Sequence, residues 1–309
     1  MTVTVRAASR LHFGLLNVSV PGHTAERSFG GLGLMIDRPG LTVSASESTA
    51  WSYAGSLADR AKSFAERIGH PTPLSIVADG PPEHVGLGVG TALGMAVAAA
   101  LKGGMIPTAS LAQLCGRGER SGIGVHGFLS GGLIVDRGKR AGQTRSDCQS
   151  LALPDRWRVV LVRPRVTGTW HGEAERAAFA RERSVEESKR TTDRLTALLD
   201  RDVIPSVERS DFSTFARAIG EYNRIAGEPF AGDQGGPYSN CNVQEWIERL
   251  QCLGLNGVGQ SSWGPTVFAV VESPEEAEWL VTRIRADGNA FDDLTAAAMA
   301  GPAQIEINC

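Results

Sequence analysis

The chain has 309 residues, a formal net charge of −3 and an ordinary globular balance of apolar and charged side chains. That length accommodates about two domains or one large α/β unit, and the charge leaves no broad basic surface, so nucleic acid is not an expected partner. The five cysteines (Cys115, Cys148, Cys241, Cys252 and Cys309) form no CxxC pair, which argues against a disulfide framework or a zinc site and fits a reduced cytoplasm.

The chain opens on MTVTVRAASRLHFG, which alternates like a strand and lacks the apolar stretch of a secretory signal. TVTVRAA, HFGLLNV, GLMID and LTVSASE read as strands, being rich in β-branched and apolar residues and separated by glycine or proline. SLADRAKSFAERIG follows with helical periodicity, Leu57, Ala61, Phe64, Ala65 and Ile68 sharing a face, and with Ser56 and Asp59 as a start signal. TPLSIVAD is a further strand and leads into PPEHVGLGVGTALGMAVAAAL. From Val89 the spacing of Leu93, Val97 and Leu101 predicts a helix, so the unit is strand, glycine loop, buried helix. The run from Val85 to Leu101 is uncharged but shorter than the ~20 residues a membrane span needs. Its Gly90 and Gly94 form a GxxxG pair, which in lipid could serve as a dimer face, yet no other segment approaches spanning length.

SLAQLCGRG predicts a short helix, FLSGGLIVDRG a hairpin or edge strand, and WRVVLVRP a buried strand. The polar stretch GKRAGQTRSDC places a domain boundary near residue 150, giving domains 1–150 and 151–309. Helices are expected over 172–200, over 211–225 and at NVQEWIERLQCL, with ERAAFARERSVEESKR a solvated face. The end of the chain reads strand, helix, strand: VGQSSWGPTVFAVVE, SPEEAEWLVTRIRADG, AQIEIN. Ser273 is the expected N-cap, with Pro274 at the first helical position and Glu276 closing a capping box.

Two glycine motifs carry chemistry. In PEHVGLGVGTA glycine permits positive φ and lets main-chain N–H groups approach a ligand, while the following helix offers unpaired N–H groups and a positive dipole end. That combination suits a phosphate or diphosphate at Gly86, Leu87, Gly88, Val89, Gly90 and Thr91. It is neither a Walker A loop, since no GK[ST] follows, nor a Rossmann fingerprint, since the spacing is G-x-G-x-G. The plainer alternative is a packing contact between helix and sheet. The second motif, GVGQSSWGPT at 257–266, could bring Gln260, Ser261, Ser262 and Gly264 close to a ligand; such clusters are also common turns.

In their order along the chain, RLHFGLL, PEHVGLGVGTAL and GVGQSSWGPTVFA resemble the three motifs of the GHMP kinase superfamily. The resemblance implies an α+β fold of two domains, an N-terminal ribosomal-protein-S5-like domain and a C-terminal ferredoxin-like α/β domain. Two departures bear on function. The kinase motif has a serine pair where this chain has Val89 and Gly90, leaving Thr91 as the nearest hydroxyl. Many of these kinases carry an aspartate in S-G-x-D, where Ser121-Gly122-Ile123-Gly124 ends in glycine. Phosphoryl transfer needs its metal-bridged phosphates and an oriented nucleophile, and both groups are missing.

ASRLHFGLLNV, FGGLGLMID, RSGIGVHGFLSGGLIVD and GQSSWGPT are similar to the β-ribofuranosylaminobenzene 5'-phosphate synthase family, a branch of the fold that is not a kinase. The resemblance implies condensation of phosphoribosyl diphosphate with 4-aminobenzoate or 4-hydroxybenzoate, with loss of CO₂ and diphosphate, in tetrahydromethanopterin biosynthesis. It further implies Mg²⁺ with the diphosphate, a cytoplasmic homodimer and no membrane partner; no metal ligand is assigned. Arg10 is a candidate clamp for a phosphate or carboxylate, His12 a donor of a hydrogen bond or proton, and His126 a polar contact to substrate; Ser28 near FGGLG is a further ligand contact. Trp263 could stack on an aryl ring or lie buried beside its strand. An ATP-dependent GHMP kinase with Thr91 on the metal is the alternative enzyme, and an anion-binding regulatory protein the non-catalytic one.

Overall fold

The computed structural model describes residues 1–17, 26–103, 108–116, 121–143, 146–165, 184–288 and 291–308. Two long strands organise the first half: β1 (Thr2–Asn17) and β2 (Arg27–Glu47). The four short strands expected there merge into these two, which stay paired from Thr2/Ser46 to Asn17/Phe29 and absorb the irregularities as register shifts between Ala7 and Ser9 and between His12 and Gly14. Val3, Val5 and Ala7 face the core while Thr2, Thr4 and Arg6 alternate away from it.

The first sheet runs β12-β1-β2-β4-β3, with β3 (Ser52–Ala54), β4 (Leu74–Asp79) and β12 (Gln304–Asn308). Beside β2 it adds β5 (Leu133–Asp136), β6 (Lys139–Arg140) and, through β5, β7 (Cys148–Leu151). The second sheet is antiparallel, β11-β8-β10-β9, built from β8 (Arg158–Pro164), β9 (Val258–Gln260), β10 (Val267–Val271) and β11 (Phe291–Ala298). The polar stretch where the domain boundary was expected contains strand β6 and ends at β7. The first sheet therefore runs to Leu151, and β12 returns to it from the other end of the chain.

The helices are α1 (Ala58–Ile68), α2 (Val89–Leu101), α3 (Thr108–Leu114), α4 (Ile123–Ser130), α5 (Val185–Leu198), α6 (Ile204–Glu208), α7 (Phe212–Gly227), α8 (Ala231–Gln234), α9 (Cys241–Cys252) and α10 (Pro274–Ala286). The helix expected over 172–200 is seen as α5; its stretch up to 183 lies outside the described residues. Ser273 caps α10 as expected, its Oγ accepting from Glu276 N–H at 3.2 Å. Three expectations are corrected. Ser56 does not cap α1: the cap position is Leu57, without a side-chain bond, and Ser56 instead takes Asp79 and Gly80 as partners. FLS in FLSGGLIVDRG ends helix α4 and only LIVD is strand. Strand β11, FDDLTAAA, lies between α10 and β12, where no strand was expected; its aspartates and alanines carry poor β propensity, and its pairing with β8 overrides that.

Helix α2 lies in the core, with Ala92 through Leu101 all buried. Gly94 accommodates Phe64 of α1, whose ring carbon Cε1 lies 2.9 Å from where a Cβ would sit. The second glycine of the GxxxG pair thus serves packing inside the protein. Among the described residues no helix is long and apolar enough to cross a membrane.

Candidate functional site

β12 pairs only with residues 2–6 of β1. Beyond that, the same edge of β1 is open, and the two glycine motifs complete it. Arg10 N–H donates to Leu87 O at 2.9 Å, His12 N–H to Ser261 Oγ at 3.0 Å, and Ser262 N–H to His12 O at 2.9 Å. Three segments far apart in sequence are thereby laid side by side.

The two loops also touch each other through main chain. A Cβ on Gly264 would lie 2.2 Å from Gly86 N, and one on Gly86 would lie 2.4 Å from Ser261 O. Only glycine allows that approach. Ser261 Oγ donates to Gly86 O and Thr266 Oγ1 to Val85 O, both at 2.6 Å. The loop ends at Gly88, left-handed at φ 69°, and α2 starts there with no side-chain cap and no acidic residue in its first turn. Thr91 N–H and Ala92 N–H already bond Gly88 O, whereas the N–H groups of Val89 and Gly90 have no partner among the described residues and can meet an external acceptor, and the helix dipole favours an anion.

Arg10 lies against that helix end. A Cβ on Gly88 would sit 3.1 Å from both Cβ and Nε of Arg10. Arg10 keeps some exposure as a residue, but its Nε is buried and has no hydrogen-bond partner among the described residues. Burial pushes the guanidinium down to about 10. A buried, unmatched cation beside an uncapped helix start is an anion receptor awaiting its counter-charge.

His12 is 7% exposed, and Gly14 N–H donates to its Nδ1 at 3.2 Å. The neutral ring then carries its proton on Nε2, the nitrogen nearer Gly31. Gly124 packs on α2: a Cβ there would lie 3.0 Å from Thr91 Cγ2. The Thr91 side chain fills the room a carboxylate at 124 would need.

The structure thus brings together Arg10, His12, Gly86, Leu87, Gly88, Val89, Gly90, Thr91, Ser261, Ser262 and Gly264. It separates two candidates from them. His126 is two residues beyond Gly124 on α4, and that step turns a helical side chain to the opposite face from the one on Thr91. Ser28 pairs with Lys139, whereas Arg10 pairs with Met35, seven residues further along β2. That is roughly 20 Å of strand. The amide of Gln260 is engaged within the protein. It is 4% exposed, its Oε1 accepts from Ser239 N–H, and its Nε2 donates to Ser239 Oγ and Gly264 O.

Asn223 on α7 was not foreseen. Its Nδ2 donates to Phe13 O and Gln260 O at 2.8 Å, and its Oδ1 accepts from Gln260 N–H at 2.9 Å. It fastens β1 to the 260s loop. The available signal was one amide inside the apolar face Phe215, Ile219, Tyr222, Ala226. Asp136 was missed too: fully buried, it accepts from Gly122 N–H at 2.7 Å and Gly138 N–H at 2.9 Å, fixing the start of α4.

A family profile described as "GHMP kinases C terminal" matches residues 203–290. The fold agrees over the whole length. A homoserine kinase from Cytophaga hutchinsonii superposes with a TM-score of 0.68 at 15% identity, covering 99% of this chain and 97% of its own. A mevalonate diphosphate decarboxylase from Staphylococcus aureus gives 0.65 at 12% identity, covering 99% and 98%. The chain has the fold of the GHMP kinases, and its C-terminal part matches their C-terminal domain. In sequence it is similar to two proteins named beta-ribofuranosylphenol 5'-phosphate synthase. The one from Archaeoglobus fulgidus is 29% identical, with 87% of this chain and 88% of the relative covered. The one from Methanothermobacter thermautotrophicus is 25% identical, with 92% and 93% covered.

In this site the electrostatics lead to an expected pH dependence. Burial first, and then the Arg10 charge, hold His12 well below the usual imidazole value. The unfolded chain therefore binds a proton below about pH 6.5 that the native state refuses, and native stability falls as pH drops beneath that value. Urea unfolding between pH 7 and pH 5 should show this loss, and His12→Gln should make the slope shallower.

Proposed function

We propose that the protein is a decarboxylating phosphoribosyltransferase of the β-ribofuranosylphenol 5'-phosphate synthase kind. Its donor is phosphoribosyl diphosphate and its acceptor a 4-substituted benzoate. The reading rests on one observation above the others: the buried, unpartnered Nε of Arg10 at the uncapped start of α2. That end of the site is equipped to hold a leaving diphosphate. Among the described residues nothing gathered beside it is a carboxylate base.

The proposed reaction suits such an inventory. The bond from ribose C1 to the diphosphate oxygen breaks and its electron pair leaves with diphosphate. The ring carbon that bears the carboxylate bonds to C1. The C–CO₂⁻ bond then breaks, its electron pair restores the aromatic ring, and CO₂ departs. No proton is gained or lost overall, so no strong base is required. The main-chain amides from Gly88 onward and Arg10 would stabilise charge as it develops on the diphosphate. Neutral His12 would offer an Nε2–H hydrogen bond rather than act as a general acid at neutral pH.

Mg²⁺ fits as a companion of the substrate. Among the described residues no group of three His, Cys, Asp or Glu side chains could hold a metal. Mg²⁺ commonly keeps its waters and binds through substrate phosphates, needing no protein cage. The Thr91 hydroxyl in the first turn of α2 is the side-chain oxygen that would approach it. When bound, the ion would offset the charge of the diphosphate.

The names of the relatives specify a ribofuranosylphenol, the product 4-hydroxybenzoate would give; we therefore place 4-hydroxybenzoate ahead of 4-aminobenzoate. A place in tetrahydromethanopterin biosynthesis follows from the same reading. The kinase alternative loses support from Thr91, whose methyl group occupies the space beside Gly124. The test is release of labelled CO₂ from carboxyl-labelled 4-hydroxybenzoate or 4-aminobenzoate with phosphoribosyl diphosphate and Mg²⁺. CO₂ only with both substrates supports the proposal. ADP formation from ATP and small alcohols would replace it with a kinase, and neither activity would favour a binding protein.

A further inference from the structure

Ser261 is fully buried where the two glycine motifs meet β1, and both sides of its hydroxyl are engaged. Its Oγ accepts from His12 N–H at 3.0 Å and donates its one proton to Gly86 O at 2.6 Å. Expected as a ligand contact, Ser261 has no proton left for a ligand. Further along the same loop Thr266, 2% exposed, donates from Oγ1 to Val85 O at 2.6 Å. Arg10 N–H donates to Leu87 O at 2.9 Å. The carbonyls of Val85, Gly86 and Leu87 are thus all held by β1 and the 260s loop.

Holding a carbonyl fixes the amide joined to it. In a planar trans peptide the C=O and the following N–H point in opposite directions. The bond from Ser261 to Gly86 O therefore turns Leu87 N–H away from the 260s loop. The bond from Arg10 to Leu87 O turns Gly88 N–H away from the edge of β1. Neither N–H has a partner among the described residues. They run without a break into the free N–H groups of Val89 and Gly90, and Gly86 and Gly88 are left-handed at φ 93° and 69°. Successive main-chain amides turned through left-handed residues form concave anion sites. Here one pair of amides belongs to the start of α2 and one pair to the loop before it.

We propose that Ser261 and Thr266 are positioning residues that present the loop amides to the second phosphoryl group of a diphosphate, so that the site prefers a diphosphate to a single phosphate. This deepens the functional reading above and rests on it for the identity of the donor. The amides of Val89 and Gly90, with Arg10, take one phosphoryl group; those of Leu87 and Gly88 take the other. Without the Ser261 hydroxyl the peptide after Gly86 is free to rotate, because glycine restrains it little. The loop amides then lose their aim while the helix start keeps its own. Thr266 anchors the peptide before it and acts in the same sense.

The experiment compares the full chain with Ser261→Ala, Thr266→Val and Thr266→Ser. Titration calorimetry measures binding of inorganic pyrophosphate and of inorganic phosphate, each with Mg²⁺, and steady-state CO₂ release gives KM for each substrate. The unmodified protein should bind pyrophosphate at least about tenfold more tightly than phosphate. Ser261→Ala and Thr266→Val should each weaken pyrophosphate roughly tenfold and change phosphate by no more than about twofold. Thr266→Ser, which keeps the hydroxyl, should retain most of the pyrophosphate affinity. KM for phosphoribosyl diphosphate should rise in step in Ser261→Ala, with KM for the acceptor unchanged. Equal weakening of both anions would mean that the hydroxyls only hold the fold, and would overturn the proposal. CO₂ release by Ser261→Ala with unchanged donor KM would overturn it too and leave the functional reading intact. A pyrophosphate preference that depends on both hydroxyls, in a protein releasing no CO₂, would sustain the positioning role and remove the functional reading. Should the variants fail to fold, equal affinity of the unmodified protein for pyrophosphate and phosphate overturns the second phosphoryl position.

Discussion

Gly88→Asp is expected to eliminate binding of the sugar donor while leaving a folded protein. Gly88 closes the loop in the left-handed region, and aspartate is among the few residues that tolerate it, at a cost of roughly 1 kcal/mol. A new Cβ would lie 3.1 Å from Arg10 Cβ and Nε, so a modest shift of the flexible arginine accommodates it. The carboxylate would then take the place proposed for the diphosphate. It would cap the N–H groups at the start of α2, for which aspartate is a preferred residue, and pair with the Arg10 guanidinium. Donor binding must compete with a built-in anion. A rise of about a hundredfold or more in KM for phosphoribosyl diphosphate is expected, with circular dichroism unchanged. Unaltered donor affinity would place the diphosphate elsewhere.

Arg10→Met is the second. It removes a cation whose Nε is buried beside the helix end, and two effects of opposite sign should follow. Donor kcat/KM should fall about a hundredfold, since a charge-assisted partner is lost where charge develops. The free protein should become more resistant to heat, because burial disfavours the Arg10 charge and methionine fills similar space without that penalty. Arg10→Lys should recover only part of the activity, its ammonium lacking the planar fork. Activity loss together with a lower melting temperature would mean that Arg10 holds the structure rather than the ligand.

Much of this was readable from residue pattern. The start of α2 at Val89 follows from glycines giving way to alanine-rich helical spacing. The motif order predicted that RLHFG, the glycine loop and the 260s loop belong to one site, and Arg10, Gly88 and Gly264 do meet there. What local pattern cannot express is which polar groups become engaged over long separations. Gln260 looks like a ligand contact beside two serines, yet its amide is fully occupied with Ser239 and Gly264. Asn223 reaches Phe13, 210 residues away in the chain, and nothing near either residue announces it. For His126 the limit is different: similarity of a segment conveys its position but not the face from which a helical side chain projects. The β11 strand was hidden by its composition, which only the neighbouring β8 makes tolerable.

Strand β1 departs from regular pairing with β2 twice, between Ala7 and Ser9 and again between His12 and Gly14. The short regular stretch between those irregularities keeps Arg10 and His12 on one side and the fully buried Leu11 on the other. Gaining or losing a single residue inside it would turn the guanidinium and imidazole into the oil-filled interior and thrust leucine at the candidate site. Natural variants of this enzyme should therefore differ freely in the length of their surface connections, while the count of residues from Ser9 to His12 stays constant.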